Sequence, residues 1–341
     1  MSRSTLIFSI SLLAFPLLAI AEDWPQWRGP NRDGRASDVN LITDWENNPP
    51  KLAWTAEGLG SGYGSVSVVG GKAFVTGNFA DGQGVAAINI ADGQLIWTTA
   101  LTDSAPRHSR QGSRSTPTID GDRAYVVTSD GSVACLKTAD GEVVWKRNFK
   151  QDWGGFMMSG WGYSESPLID GDRVLCTPGG PDAMIVALNK MTGEEIWKAA
   201  TPQYEAEDGK NGKKLKDGAG YSSIVISEAA GVKQYVQLIG RGVVGIRASD
   251  GKFLWRYVGV ANGTANIPTP IVSGDGLFVS TGYNTGSALL KLSADGDGVK
   301  AEEVYFLEGG VLQNKHGGLV LHDGHVYCGH KSGLPICVEM K

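Results

Sequence analysis

A seven-residue motif ending in a large aromatic residue recurs along this chain and restricts the folds it can adopt. It reads ADGQLIW, ADGEVVW, MTGEEIW and SDGKFLW, with last residues Trp97, Trp145, Trp197 and Trp255, and a degenerate copy ends at Tyr305. An earlier KLAW, ending at Trp54, looks like the same strand without its upstream partners. Successive copies lie about fifty residues apart, and a fixed period of that length indicates stacked or radial repeats rather than one ordinary globular core.

Each repeat predicts four β-strands separated by tight turns. In the second copy the strands are predicted over residues 115–119, 123–128, 132–137 and 142–145. Asp-Gly pairs fall between them, and such pairs favour hairpins because the turns need positive φ. Four antiparallel strands per unit, repeated around an axis, predict an all-β fold, a β-propeller with six repeats visible. A β-sandwich is the competing architecture, and it is disfavoured because sandwiches do not repeat a four-strand unit in sequence.

The aromatic residue that ends each repeat is predicted to fill the seam between adjacent blades. A buried indole removes a large apolar area from water, so these side chains are expected to stabilise blade docking. The predicted blade-docking residues are Trp54, Trp97, Trp145, Trp197 and Trp255.

The first twenty-one residues differ from the rest. Arg3 precedes an apolar stretch from Leu6 to Leu18, and small residues follow at 19–21. This pattern is typical of a secretory signal peptide cleaved before Glu22. A membrane anchor is the alternative, but the apolar run is shorter than the ~20 residues that a spanning helix needs. We therefore expect a signal peptide over 1–21, an extended segment over 22–50, a propeller over 51–341, and a periplasmic or extracellular protein without a transmembrane segment after cleavage.

The last repeat ends before its fourth strand. Gly333 to Cys337 aligns with Gly131 to Cys135, so the expected turn and Trp-bearing strand do not follow. Two explanations are open. Either the chain is incomplete at its C-terminus, or the strand around Trp54 completes the sixth blade by joining the two ends of the chain.

Charge excludes one class of partner. The formal charge is −5 and no basic stripe is present, so nucleic acid is not an expected partner. The mixed-charge stretch 205–217 is predicted to be a solvated loop, and the Asp-Gly-Asp-Gly run at 295–298 a simple turn.

The cysteines permit one structural prediction. Aligning the sixth repeat on the second makes Cys328 and Cys337 direct cross-strand partners, at a spacing within disulfide range. An exported protein is in an oxidising compartment, so we expect this bridge to form. Cys135 and Cys176 are expected to be isolated buried thiols.

The strings GVAAINIADGQLIW, GSVACLKTADGEVVW and AMIVALNKMTGEEIW resemble the PQQ-like repeat, the blade unit of quinoprotein dehydrogenases and of the outer-membrane assembly propeller. The opening AEDWPQWRGPNRDG is similar to that of exported bacterial PQQ-like propellers, some of which carry the name polyvinylalcohol dehydrogenase by similarity. Members of this group usually have seven or eight blades, which favours the interpretation that the C-terminus is missing.

For an enzyme, this resemblance implies a quinone on an aromatic floor, a Ca²⁺ held by carboxylate and amide oxygens, and a carboxylate base. The matching positions at first-strand ends and top loops are Glu165, Asn266 and Asn314 for the metal, Trp161 for the floor, and Arg114 or Arg241 for the quinone carboxylates. Residues at similar points of their own blades are expected to line the same opening of the central channel; they are Tyr163, Tyr221, Tyr283 and His316.

Several features depart from the dehydrogenase pattern. The chain has no adjacent pair of cysteines, no C-x-x-C-H haem motif and no Asp that stands out as a base. The sequence therefore favours a non-catalytic exported propeller, a binding or scaffold module for an envelope protein or polymer, with no certain cofactor. The alternative is a PQQ-dependent dehydrogenase, with PQQ and Ca²⁺, that oxidises alcohols or polyols.

Overall fold

The computed structural model describes residues 22–39, 41–202, 215–316 and 318–341. The predicted signal peptide and most of the predicted 205–217 loop lie outside the described residues. Within them the chain forms six antiparallel sheets, five with four strands and one with three. The predicted all-β propeller built from four-stranded antiparallel blades is thus confirmed.

Each sheet follows the order of the sequence, and we number the blades from the N-terminus. Blades 1 to 3 contain β1 (Ser67–Val69), β2 (Lys72–Phe79), β3 (Gly82–Asn89), β4 (Leu95–Ala100); β5 (Thr118–Asp120), β6 (Arg123–Val127), β7 (Ser132–Lys137), β8 (Val143–Asn148); and β9 (Leu168–Asp170), β10 (Arg173–Cys176), β11 (Ile185–Asn189), β12 (Glu195–Ala199). Blades 4 to 6 contain β13 (Val225–Ser227), β14 (Gln234–Ile239), β15 (Gly242–Arg247), β16 (Phe253–Tyr257); β17 (Ile271–Ser273), β18 (Gly276–Thr281), β19 (Gly286–Asp295), β20 (Gly298–Glu308); and β21 (Val320–His322), β22 (His325–Gly329), β23 (Pro335–Glu339). One short helix, α1 (Phe149–Trp153), follows blade 2, and a 3-10 turn (Ala229–Gly231) follows β13.

Local turn chemistry sets the hairpins. Gly70 and Gly71 both have positive φ in the two-residue loop between β1 and β2, as a type I′ turn requires. The 295–298 run contains the turn between β19 and β20, as predicted, with Gly296 and Asp297 as its two loop residues. In every four-stranded blade the register between the third and fourth strands shifts at a β-bulge beside the motif aromatic. Such a bulge re-aims the side chains that follow it.

The apolar core lies between neighbouring blades. One buried cluster joins Tyr125 and Trp145 of blade 2 to Val174 and Val186 of blade 3, and similar clusters join blade 3 to 4 and blade 4 to 5. The first strands also contact one another, β1 with β5, β5 with β9 and β13 with β17. First strands are therefore innermost and the sheets radiate from a central axis.

The repeated indoles occupy blade seams. A Cβ added to Gly141, Gly193 or Gly251 would meet the ring of the preceding blade's motif tryptophan, Trp97, Trp145 and Trp197 respectively. Trp54 makes the same contact with Gly93 of blade 1. Trp255 differs, since its indole N–H donates to Gln234 of its own blade at 2.6 Å.

Trp54 nevertheless does not belong to a strand. Residues 51–54 form no strand, and the sixth sheet contains only β21, β22 and β23 among the described residues. Of the two explanations left open for the short last repeat, completion of blade 6 by the KLAW strand therefore does not occur among the described residues. The seam contact depends on the ring and its glycine, whereas a strand also needs a paired neighbour.

The predicted disulfide is also wrong. The structure pairs Cys337 with Tyr327 and Cys328 with Ile336, one residue away from the predicted register. Neighbouring residues of a strand point to opposite faces, so Cys328 is buried while Cys337 is exposed, and both thiols are free. Cys135 and Cys176 are buried free thiols, as expected.

Candidate functional site: the central cavity

A relay of hydroxyl groups fixes the segments that meet at the propeller axis. The backbone N–H of Thr116 donates to the Ser166 hydroxyl at 2.9 Å, one blade further on. Ser166 N–H donates in the same way to Ser223, and Ser223 N–H to Thr269, each at 3.0 Å. Blades 3, 4 and 5 thus each satisfy a backbone donor of the preceding blade, which holds the loops at the axis in place.

The N-terminal segment, defined here as residues 22–35, crosses this axis. Trp24 pairs with Val68 of blade 1 through two backbone hydrogen bonds, of 2.7 and 2.9 Å. The carbonyl of Pro25 accepts from Ile119 of blade 2 at 2.7 Å. Further along, Arg32 reaches blade 3, and Arg28 donates to the carbonyl of Leu319 beside blade 6. The segment therefore links four blades across the channel.

Arg32 is the buried anchor of the segment. It is 6% exposed, and its guanidinium donates to the carbonyls of Ser166 at 2.7 Å and Pro167 at 3.0 Å and to Gln26 at 3.0 Å. Burial lowers the pKa of Arg32 to about 10, and the nearby Glu165 carboxyl opposes that shift. Its guanidinium also lies 5.7 Å from the ring centre of Trp27.

A cavity of about 970 Å³ opens where the N-terminal segment meets the loops before the first strands. Its lining contains five aromatic rings, four permanent cations and hydroxyl groups. The rings and cations are Trp27, Tyr63, Trp161, Tyr221, Tyr283, Arg28, Arg110, Arg114 and Lys315, with His316 beside them. Among the described residues that line the cavity, none is Asp or Glu.

Cations and rings are paired within this cavity. Arg28 lies 5.4 Å from the ring centre of Trp27, Arg114 lies 5.5 Å from that of Tyr63, and Lys315 Nζ lies 4.8 Å from that of Tyr283. Trp161 and Tyr221 meet edge to face at 5.9 Å. Cation–π contacts of this kind hold charged groups in place without neutralising them.

The positive surroundings affect the titrating groups. Burial lowers the pKa of His316, and the charges of Lys315 and Arg110 lower it further. Burial also lowers the pKa of the Arg114 guanidinium. A negatively charged ligand would oppose the lowering of both pKa values.

The structure brings together only part of the predicted site. Arg114 and Trp161 line the cavity, as do Tyr221, Tyr283 and His316. Tyr163 is 6% exposed and donates to the carbonyl of Pro178 at 2.8 Å, and Arg241 lies 2.7 Å from the Asp217 carboxylate. Neither is among the residues that line the cavity.

Glu165 and Asn266 are also away from the cavity lining and bond to protein groups. Glu165 accepts from the Thr177 N–H at 2.6 Å, the Thr177 hydroxyl at 2.8 Å and Gln237 at 3.2 Å. The Asn266 amide donates to the carbonyls of Ile239 and Gly240 at 2.9 and 3.0 Å. Its oxygen accepts from the Asn262 N–H at 3.0 Å. These oxygens do not fit a Ca²⁺ site, which needs six to eight converging oxygen ligands.

The N-terminal segment contributes to the cavity in a way that the repeats do not predict. The sequence places Trp27, Arg28 and Arg32 in an extended segment outside the propeller. The available signal is the WPQWRGPNR string itself, which combines indoles and guanidinium groups directly before the repeats.

This chain is similar to known proteins in both sequence and structure. The sequence model of the family described as outer membrane protein assembly factor BamB matches residues 35–155 and 81–341, in two overlapping placements. The chain belongs to this family of PQQ-like repeat propellers. The resemblance seen in the repeats is therefore confirmed.

A curated relative, the outer membrane protein assembly factor BamB of Kangiella koreensis, is 28% identical over 139 residues. The match covers 39% of this chain and 31% of that relative, so the chain aligns with about a third of the relative's length.

Two quinohemoprotein alcohol dehydrogenases are similar in structure. ADHIIG from Pseudomonas putida HK5 has a TM-score of 0.57 at 16% identity, over 90% of this chain and 56% of that one. The enzyme from Comamonas testosteroni has a TM-score of 0.55 at 16% identity, over 93% of this chain and 52% of that one. At this identity the likeness concerns the fold alone.

Two properties of the described residues bear on location and metal binding. None of their helices is long and apolar enough to cross a membrane. No group of three or more His, Cys, Asp or Glu side chains within the described ranges is arranged to hold a metal ion.

Proposed function

We propose that this protein is an exported, non-catalytic propeller that serves as a binding or scaffold module in the cell envelope. Two of the three oxygen donors predicted for a quinoprotein metal centre, Glu165 and Asn266, carry this proposal because their polar atoms already hydrogen-bond to Thr177, Gln237 and backbone groups. Turning either side chain toward a metal would leave buried protein donors and acceptors unpaired, at a cost of about 1–3 kcal/mol each.

Membership of the BamB family supports the same proposal. The curated relative is named an outer membrane protein assembly factor, a name that describes a role in assembly. Structural likeness to alcohol dehydrogenases does not oppose it, because function lies in sites placed on folds rather than in the fold itself. By this proposal, the blade surfaces and the central cavity together meet an envelope protein or polymer.

The deciding experiment adds the cofactors that the alternative requires. Purified protein is titrated with PQQ in the presence and absence of Ca²⁺, and reduction of an artificial dye is followed with short alcohols and polyols. We expect no Ca²⁺-dependent saturable binding and no dye reduction. Saturable, Ca²⁺-dependent binding with alcohol-dependent dye reduction would instead establish a PQQ-dependent dehydrogenase.

Export is tested separately. The full chain and a variant without residues 1–21 are produced in a bacterial host that secretes by the general pathway, and the cells are fractionated. We expect the full chain in the periplasm, shortened to begin at Glu22, and the truncated variant in the cytoplasm. The mass of the periplasmic protein gives the cleavage position.

A further inference from the structure

This inference rests on the proposed binding function and names the ligand class. We propose that the central cavity binds an acidic oligosaccharide, sugar rings that carry carboxylate or sulfate groups, and that Arg32 positions the part of the cavity formed by the N-terminal segment. The cavity supplies the charge, the flat apolar surfaces and the hydroxyl groups that such a ligand needs.

The charge of the cavity is opposite to that of the chain. Arg28, Arg110, Arg114 and Lys315 line it, and no carboxylate does so among the described residues, although the chain as a whole carries −5. A partly enclosed cleft with one sign of charge concentrates its field and attracts ligands of the opposite sign. Guanidinium groups suit this task because they bind planar carboxylates and other oxyanions through two parallel hydrogen bonds.

The aromatic rings favour a sugar over a simple inorganic anion. Trp161 and Tyr221 line the cavity edge to face, with ring planes that differ by 67°, and the ring of Tyr63, which is 65% exposed, lines it as well. Sugar rings have C–H faces that pack on such surfaces, and burying aromatic area is strongly favourable. The hydroxyls of Ser164 and Thr264, also in the lining, can both donate to and accept from sugar hydroxyls.

A peptide or a nucleic acid fits less well. A peptide strand needs free backbone partners, but the N–H of Ser223 in the lining already donates to Thr269. Single-stranded nucleic acid also uses cations and rings, yet it needs a groove that follows its backbone, whereas these cations are confined to a cavity of about 970 Å³. Because the N-terminal segment crosses the channel, the cavity accepts a chain end or a short oligomer rather than a threaded polymer.

Arg32 acts on this site without lining it. Its bonds to the carbonyls of Ser166 and Pro167 hold the N-terminal segment to blade 3, and that segment carries Trp27 and Arg28 into the cavity. Arg32→Gln shortens the side chain and removes the charge and the fork of donors. The segment then loses its hydrogen bonds to blade 3 but keeps those to blades 1, 2 and 6, and every residue that lines the cavity is unchanged.

Calorimetric titration tests the ligand class. The probes are trigalacturonate, its trimethyl ester as the uncharged match, a trisulfated disaccharide and oligo-dT. We expect binding of at least one acidic sugar, no binding of the ester, and weaker binding at high salt. Comparing trigalacturonate with the trisulfated disaccharide shows whether the cavity prefers carboxylate or sulfate groups. Equal affinity for the ester, binding of oligo-dT alone, or binding of none of the probes would overturn the proposal.

Variants of this chain test the residues. Arg114→Gln and Lys315→Gln should each weaken binding of the acidic sugar by about tenfold or more, since each removes a charge-assisted contact. Lys300→Gln, on the hairpin of blade 5, is the matched control and should bind as the wild type does. If Arg114→Gln and Lys315→Gln bind like this control, the site is not the cavity.

Hydrogen exchange tests the role of Arg32. In the wild type the acidic sugar should slow exchange of the amides in residues 24–32, and Arg32→Gln should lose this protection together with affinity while circular dichroism shows an intact propeller. Arg32→Lys should restore neither the protection from exchange nor the affinity, because an ammonium group cannot reproduce the guanidinium's paired hydrogen bonds to the carbonyls of Ser166 and Pro167. Unchanged affinity and protection in Arg32→Gln would overturn the positioning role.

Failure of this inference and failure of the proposed function give different results. Dye reduction with PQQ and Ca²⁺ contradicts the non-catalytic function whatever sugars bind. Absence of both dye reduction and acidic-sugar binding contradicts only the ligand class.

Discussion

The indole ring of Trp145 lies against Gly193, the glycine of the turn that precedes the last strand of the next blade. A Cβ on Gly193 would come within 2.7 Å of the ring atom Cδ2. The glycine of the turn and the terminal tryptophan are the most regular residues of the repeat, and they contact each other across a blade seam. Their recurrence in sequence reflects one contact made between successive pairs of blades.

This contact predicts a difference between two glycines with similar backbones. Gly193 has φ +72° beneath the Trp145 ring, whereas Gly171 has φ +62° with open space around its missing Cβ. Both alanine substitutions carry the strain of positive φ, but only Gly193→Ala also forces the ring to move. We expect Gly193→Ala to cost about 1–3 kcal/mol more than Gly171→Ala. Urea unfolding of both variants measures the difference, and equal midpoints would contradict the seam contact.

The hydroxyl relay at the axis predicts a second effect. Ser166→Ala removes the acceptor of the Thr116 N–H, which is fully buried. An unpaired buried donor costs about 1–3 kcal/mol, so thermal unfolding should begin at a lower temperature. Ser166→Thr keeps the hydroxyl and should restore most of the stability, since blades 2 and 5 use threonine at this position. A threonine variant as unstable as the alanine variant would show that side-chain volume, not the hydrogen bond, matters there.

The repeat units are largely predictable because their signals are local. The predicted third strand of blade 2, 132–137, is β7 itself, and the second differs from β6 by one residue. The first strand begins later than predicted, at Thr118, because Thr116 donates its backbone N–H to Ser166 in the axial relay instead of joining the sheet ladder. A hydrogen bond to the neighbouring blade does not change the alternation of apolar and polar residues, so the strand bounds predicted from that alternation miss it.

The cavity is only partly predictable because it is built from distant segments. Arg114 and Trp161 can be found from sequence because both lie in the loops before the first strands of their repeats. Arg28 and Lys315 meet in the cavity although nearly the whole propeller separates them in sequence. Glu165 has the chemistry of a metal ligand, but its hydrogen bonds to Thr177 depend on a register that no motif records.

The corrected positions of the cysteines predict their reactivity. Of the four cysteines Cys337 is exposed, whereas burial raises the pKa of Cys328, raises that of Cys135 to about 11 and raises that of Cys176 strongly. The thiolate is the reactive form, so we expect one fast-reacting thiol in the native protein and four after unfolding. A chromogenic disulfide reagent measures both numbers. Cys337→Ser should abolish the fast phase, and only two thiols in the unfolded, unreduced protein would restore the predicted bridge.

The buried carboxyl of Glu165 makes stability depend on pH. Burial raises its pKa to about 8, against the opposing effects of its hydrogen bonds to Thr177 and the charge of Arg32. Between the unfolded pKa of about 4.5 and this value, the folded protein holds a proton that the unfolded chain has released. The free energy of unfolding therefore falls as pH rises through this interval, by at most about 1.4 kcal/mol per pH unit.

Glu165→Gln removes the titration and keeps a side chain of the same shape, whose amide can donate to the Thr177 hydroxyl. Gln237 loses one acceptor but keeps the Thr177 hydroxyl and the Ser222 carbonyl. We expect the variant to unfold at a higher temperature than the wild type at pH 8.5, with the difference shrinking toward pH 5. Asp250→Asn is the control of opposite sign, since the hydrogen bond from Arg247 lowers the pKa of that carboxyl to about 2. Loss of the Asp250 carboxylate should slightly reduce the free energy of unfolding at neutral pH. Parallel pH profiles for wild type and Glu165→Gln would mean that Glu165 stays ionised in the fold, held by Arg32.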